Sequence, residues 1–176
     1  MKAGDVLPPL EIPVTRTLIV AGAVASRDYQ DVHHDAEAAR EKGSPDVFMN
    51  ILTTNGLVGR YVTDHFGPRA VLRKVAIRLG APNYPGDTMT LTGTVDVVTD
   101  VVDVADVTDT ADVADVAGIA DVADAADVAD VADVAVADVT DAADGPAGTV
   151  TAVVRIVGTN RLGHHVTGTV TVEVPR

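Results

Sequence analysis

The 176-residue chain has no cysteine and no tryptophan, and its aromatic residues are three tyrosines and two phenylalanines. Without cysteine there is no disulfide, no thiol nucleophile and no thiolate metal site. No run of about 18 apolar residues occurs, so a membrane-spanning helix is not expected. The opening MKAGDVLPPLEIP has no apolar stretch behind its lysine. A secretory signal is therefore not expected, and the cytoplasm is the expected compartment. Basic stripes interleaved with aromatics, the mark of a nucleic-acid surface, are missing as well. The length suffices for one domain with a substantial core.

The formal net charge is −13, but it is concentrated. Fifteen aspartates, and no lysine, arginine or glutamate, lie between Asp96 and Asp144, and the rest of the chain is close to neutral. Within that stretch Asp-Val-Ala recurs with a period of three. A helix of 3.6 residues per turn would let the valine stripe drift by about 60° per repeat. A strand would send successive valines to opposite faces, and dense like charge opposes collapse. Residues 96–147 read as a low-complexity insert at a strand–strand connection inside a single domain spanning 1–176. Carboxylates are calcium ligands, but the glycine-rich nonapeptide of calcium-loaded β-rolls is absent. An ion-binding or interaction role for the insert is the lesser reading, and its deletion is expected to be silent.

Outside the insert the pattern is helical first and strand-like later. LEIPVT reads as a short strand, and Thr15 as the cap of a helix over RTLIVAGAVAS. DAEAAREKG reads as a short helix capped by Asp35 and stopped at Gly43. From Asn50 to Phe66, Ile51, Leu52, Leu57, Val58, Tyr61, Val62 and Phe66 recur at helical spacing. Gly56 and Gly59 would let a sheet approach, and Gly67-Pro68 ends the helix. Four strands follow: AVLRKVAIRLGAP, DTMTLTGTVDVV, GTVTAVVRIVGTN and HHVTGTVTVEV. One long helix with an antiparallel sheet is an α+β layout.

SRDYQDVHHD, residues 26–35, carries the chemistry. Asp28 and His33 lie five apart as the chain leaves a helix, and a carboxylate with an imidazole is a natural pair for moving protons near neutral pH. On spacing alone a plainer reading also stands: Asp28 caps a turn or pairs with Arg27, and His33 is a surface residue. His34 is expected to point elsewhere. His65, at the helix end, suits the dipole. His33, His34, His164 and His165 lack metal-ligand spacing, so no metal site is expected. Arg73, Lys74 and Arg78 are candidate phosphate contacts, though strand charges are more often simply solvated. Thr54 and Asn55 are either an acyl-tunnel lining or core polar groups satisfied by backbone.

ASRDYQDVHHD, then GSPDVFMNILTTNGLVGRYVTDHFGP, then four strands, resembles the MaoC-like acyl dehydratases over residues of about 5–96 and 148–174. The resemblance implies a hot-dog fold, an antiparallel sheet wrapped around one long central helix. It also implies an Asp and a His five apart, here Asp28 and His33, gripping one water that is added to an enoyl-CoA. Within the family, RDYQDVHHD, NILTTNGLVGRYVTD and GTNRLGHHVT are similar to the small subunits of steroid side-chain enoyl-CoA hydratases. That branch implies a second MaoC-like subunit as partner, or else a homodimer. The general signature has Gly before the Asp and Asn-Pro after it, where this chain has Arg27, Gln30 and Asp31. Backbone N–H groups at Asn50 and Ile51 are the expected oxyanion donors, although Asn50 stands where a glycine is usual. No cofactor is expected beyond the coenzyme A carried by the substrate. The rival readings are a hot-dog acyl-CoA thioesterase and a non-catalytic partner subunit that only shapes the acyl tunnel.

Overall fold

The computed structural model describes residues 1–100 and 148–176. The acidic repeat, with the readings attached to it, lies outside the described residues. The elements in chain order are β1 (Val6–Val14), α1 (Arg16–Ala25), a single 3₁₀ turn (Asp31–His33), α2 (Ala36–Glu41), α3 (Ile51–Phe66), β2 (Val71–Leu79), β3 (Asp87–Asp100), β4 (Thr149–Asn160) and β5 (Gly163–Pro175). The strands form one antiparallel sheet in the order β1-β3-β4-β5-β2. This is the hot-dog layout, with α3 laid across the inner face of the sheet.

The helices begin and end where their capping chemistry dictates. Thr15, Asp35 and Asn50 are the N-caps, and each side chain accepts a backbone N–H from the first turn. Gly67 ends α3 in a left-handed conformation, φ 88°, with its N–H on the carbonyl of Thr63. α3 turns Thr54, Val58, Tyr61 and Val62 into the core. Those residues meet Leu7, Met89, Leu91, Val154, Ile156, Val170 and Val172, all fully buried at alternate strand positions. Each such aliphatic side chain contributes on the order of 1.5–3 kcal/mol by leaving water.

Several details depart from the sequence-based expectations, each for a local reason. β1 is longer than LEIPVT, because Val6 and Leu7 pair with Thr94 and Gly93 across an irregularity that absorbs Pro8 and Pro9. Neither proline can donate to a ladder, and Tyr61 Oη donates to the freed Pro8 carbonyl at 3.0 Å. β3 runs on to Asp100, past the start of the acidic composition at Asp96, with Val97 opposite Val153 and Asp100 opposite Val150. A bulge between Val95 and Val97 shifts the phase, so Val97 is exposed while Val98 packs on the core. Gly59 does admit the sheet, since a Cβ there would sit 3.2 Å from Leu72, but Gly56 faces open space. Between α1 and α3 the close approach is at Gly22. A Cβ on it would collide with Thr53, so it sets the close crossing of α1 and α3.

The core also encloses a histidine. His165, on β5, is 1% exposed. Its Nδ1–H donates to the Ala81 carbonyl at 2.7 Å, and Nε2 meets the Thr54 hydroxyl at 2.9 Å. Burial lowers its pKa, opposed by the Ala81 carbonyl, which favours the protonated ring. The unfolded chain then binds more protons than the folded one as pH falls through the ordinary histidine range. The stability that His165 contributes is therefore present above that range and lost on acidification. Urea unfolding at about pH 7.5 and about pH 5.5 is expected to show a lower midpoint in acid, and His165→Gln should flatten that difference. An equal pH dependence in the variant would remove His165 as its source. Because Asp100 and Val150 are already paired, replacing residues 101–147 by a short turn is expected to leave a cooperative fold. A deletion begun at residue 97 would cut into β3. Loss of the cooperative melt in the 101–147 replacement would show that the hairpin depends on the insert.

Candidate active site

The site forms where α1 ends and α3 begins. α1 closes in a Schellman turn: Arg27 N–H reaches the Val24 carbonyl, and Asp28 N–H reaches the Ala23 carbonyl at 2.9 Å. The residue between cap and Asp28 must be left-handed for this, and Arg27 adopts φ 59°. It alone has positive φ among the described non-glycine residues. This explains the glycine in the general signature at that position, and also what Arg27 costs, about 1 kcal/mol of backbone strain.

The turn delivers Asp28, and the 3₁₀ turn delivers His33. Asp28 Oδ2 lies 3.3 Å from His33 Nε2, with side chains 16% and 8% exposed. The pair is nearly dry but can be reached. Phe48 supplies the other restraint, because its carbonyl lies 2.7 Å from His33 Nδ1 and its ring packs edge-on against the imidazole. A carbonyl only accepts, so Nδ1 carries hydrogen, and in that tautomer of the unprotonated ring Nε2 presents a lone pair toward Asp28. Two acceptor sites thus face one small gap.

Asn50 holds the carboxylate in that position. Its Nδ2 donates to Asp28 Oδ2 at 2.9 Å and to Ser26 Oγ at 2.9 Å, while Oδ1 accepts the Thr53 N–H at 2.9 Å. These partners also settle the orientation of the amide. The sequence points to the backbone of Asn50, and the work of its side chain is visible only in the fold. Its cap position before an apolar helix was the only local signal, and that signal does not point to Asp28. The N–H groups of Asn50 and Ile51 precede the first helical acceptor and are open within the helix, at its positive end.

The other candidates lie apart from this pair. Arg73 is engaged with Glu173 on β5 at 2.6 Å, which raises its pKa. Lys74 and Arg78 point outward from β2 and are exposed. Arg78 lies at the end of β2 that leads to Ala81, and Arg73 and Lys74 are roughly 15 Å farther along the strand. Thr54 is fully buried against His165. Asn55 leaves Oδ1 buried with no partner among the described residues. His34 turns away to the Tyr29 carbonyl at 3.2 Å, and His164 is exposed. His65 lies in the last turn of α3. Among the described residues no three His, Asp or Glu side chains are grouped as a metal ion would require. No helix among them is long and apolar enough to cross a membrane.

The sequence pattern of the MaoC like domain family matches residues 3–117. The chain belongs to the MaoC-like family. One relative of this MaoC-like chain is the 3-oxo-4,17-pregnadiene-20-carboxyl-CoA hydratase beta subunit of Mycobacterium tuberculosis. It is 52% identical over 97 residues, which are 55% of this chain and 75% of the relative. The solved ChsH1–ChsH2 complex of the same organism contains a chain 37% identical with a TM-score of 0.67, the match covering 98% of this chain and 97% of that one. An (R)-hydratase from A. caviae, involved in PHA biosynthesis, is 13% identical with a TM-score of 0.67 over 99% of this chain and 98% of that one, a likeness of fold alone.

Arg27→Gly is expected to raise the stability of this MaoC-like chain by about 1 kcal/mol, because glycine takes the left-handed turn without the Cβ clash. A higher urea midpoint at unchanged slope would be the sign. A lower midpoint would mean that the arginine side chain outweighs its own backbone strain.

Proposed function

We propose that this chain is the catalytic subunit of an enoyl-CoA hydratase, adding water across the α,β double bond of a bulky, steroid-type acyl-CoA in cholesterol catabolism. The observation that carries the reading is the Asp28–His33 pair, 3.3 Å apart with Asn50 behind the carboxylate. The steroid substrate and the second MaoC-like subunit are carried over from the relatives named above. We place the protein in the cytoplasm and assign it no cofactor, the coenzyme A arriving with the substrate.

The geometry suits water addition. A water offering one O–H to Asp28 and the other to His33 Nε2 turns its lone pairs outward, toward C3 of the substrate. As oxygen bonds to C3, one water proton passes to the pair, and C2 receives a proton from the pair. The net change is one water added and no group left on the protein. Charge that develops on the thioester oxygen is met by the N–H groups of Asn50 and Ile51, aided by the helix dipole.

The test is co-expression with a MaoC-like partner and a hydration assay on steroid and straight-chain enoyl-CoAs. Hydration of the steroid thioester is expected, and release of free coenzyme A without a hydrated product would point to a thioesterase. Asp28→Asn and His33→Ala should each lower kcat by at least about a hundredfold while the protein stays folded. Full activity in both variants would make this chain a non-catalytic partner.

A further inference from the structure

The structure ties both halves of the pair to one short segment, residues 48–50. The Phe48 carbonyl fixes His33, and the Asn50 amide fixes Asp28. What holds that segment is the loop after β2. Met49 N–H donates to the Asn83 carbonyl at 3.0 Å. The loop is itself fastened to β5, with Gly80 N–H on the His165 carbonyl and Ala81 N–H on the His164 carbonyl, each at 2.8 Å.

His165 lies where these ties meet. Its ring spans the gap between the Ala81 carbonyl and the Thr54 hydroxyl, and Thr54 N–H closes the first turn of α3 on the Asn50 carbonyl at 3.2 Å. Because Nδ1–H is committed to a carbonyl, Nε2 is the acceptor and Thr54 donates to it. The ring thus connects β5, the loop after β2 and the first turn of α3, through hydrogen bonds that burial keeps from exchanging with water. An apolar side chain in the gap would leave the Ala81 carbonyl without the ring N–H and Thr54 Oγ1 with only the Asn50 carbonyl, 3.3 Å away.

We infer that His165, acting through Thr54 and Asn50, is a positioning residue for the Asp28–His33 pair. This inference rests on the hydratase reading and extends it to a histidine that touches no substrate. Its role is to keep the Asn50 amide and the Phe48 carbonyl in register, so that carboxylate and imidazole stay aimed at one water. Small displacements at a reacting centre cost rate more than binding.

The test uses the full chain with its partner, well below the melting temperature. Thr54→Val and His165→Asn are expected to lower kcat about tenfold with KM changed less than about twofold. His165→Gln, whose amide reaches the Nε2 position, and Thr54→Ser should restore most of kcat. The ring resonances of His33 in nuclear magnetic resonance spectra should shift in the first two variants and return in the other two. Wild-type kcat and unshifted His33 resonances in folded Thr54→Val would overturn the inference, even if His165→Asn fails to fold. A loss of activity that only follows the loss of folded protein would also overturn it. Wild-type protein with no hydratase activity would defeat the hydratase reading instead, while the His33 resonances would still report on the relay.

Discussion

The arrangement of the site depends on one carboxamide. Asn50 satisfies three groups at once: the first-turn N–H of Thr53, the hydroxyl of Ser26 and the carboxylate of Asp28. Each bond adds about 1 kcal/mol net, but an unpaired buried group costs about 1–3 kcal/mol. The three therefore form or fail together. Their joint effect is to fuse the end of α1 to the start of α3, two points that the chain otherwise separates by a 3₁₀ turn and a short helix. Gly22 permits this fusion, because only a residue without a side chain lets Thr53 come so close to α1.

The sheet decides which end of α3 meets the Asp28–His33 pair. Tyr61 ties the middle of the helix to β1, and Leu72 of β2 packs against Gly59. The C-terminal end runs into Gly67 and the start of β2. Only the N-terminal end has N–H groups without a helical acceptor, and it lies beside Asp28 and His33. That end also has the positive pole of the helix, which favours negative charge placed beside it. A carboxylate placed at the opposite end would meet the carbonyl ends and gain nothing from the helix.

Much of this was legible in the residues. Thr15, Asp35 and Asn50 announce helix starts because their side chains are suited to stray N–H groups, and Gly43 and Gly67 announce ends. The alternation in β4 and β5 marks an inner face because one side of the sheet is dry. Asp28 and His33 were legible as a pair through the family resemblance, since five residues of spacing alone leave many conformations open. The rest depends on partners far along the chain. Arg73 reads as a free cation until Glu173, a hundred residues away, comes beside it on β5. The bulge at Asp96 reverses the facing of Val97 and Val98 through its pairing with β4, which is invisible in the local pattern. His165 looked like one more histidine in a strand, and only its neighbours Ala81 and Thr54 give it work.

Arg27 shows why a departure from a signature is not a departure in geometry. The signature glycine answers a backbone requirement, a left-handed residue between the end of α1 and Asp28. Here that conformation is imposed from both sides, by the Schellman bonds to Val24 and Ala23 and by the Asn50–Asp28 bond. An over-determined backbone holds Arg27 there for about 1 kcal/mol. The letter at position 27 thus departs from glycine while the carboxylate stays where it is. Gln30 and Asp31 follow the same logic. They stand where the signature has Asn-Pro, and the 3₁₀ turn still forms with His33 N–H on the Gln30 carbonyl. The Asp28–His33 pair is therefore a property of the turn geometry.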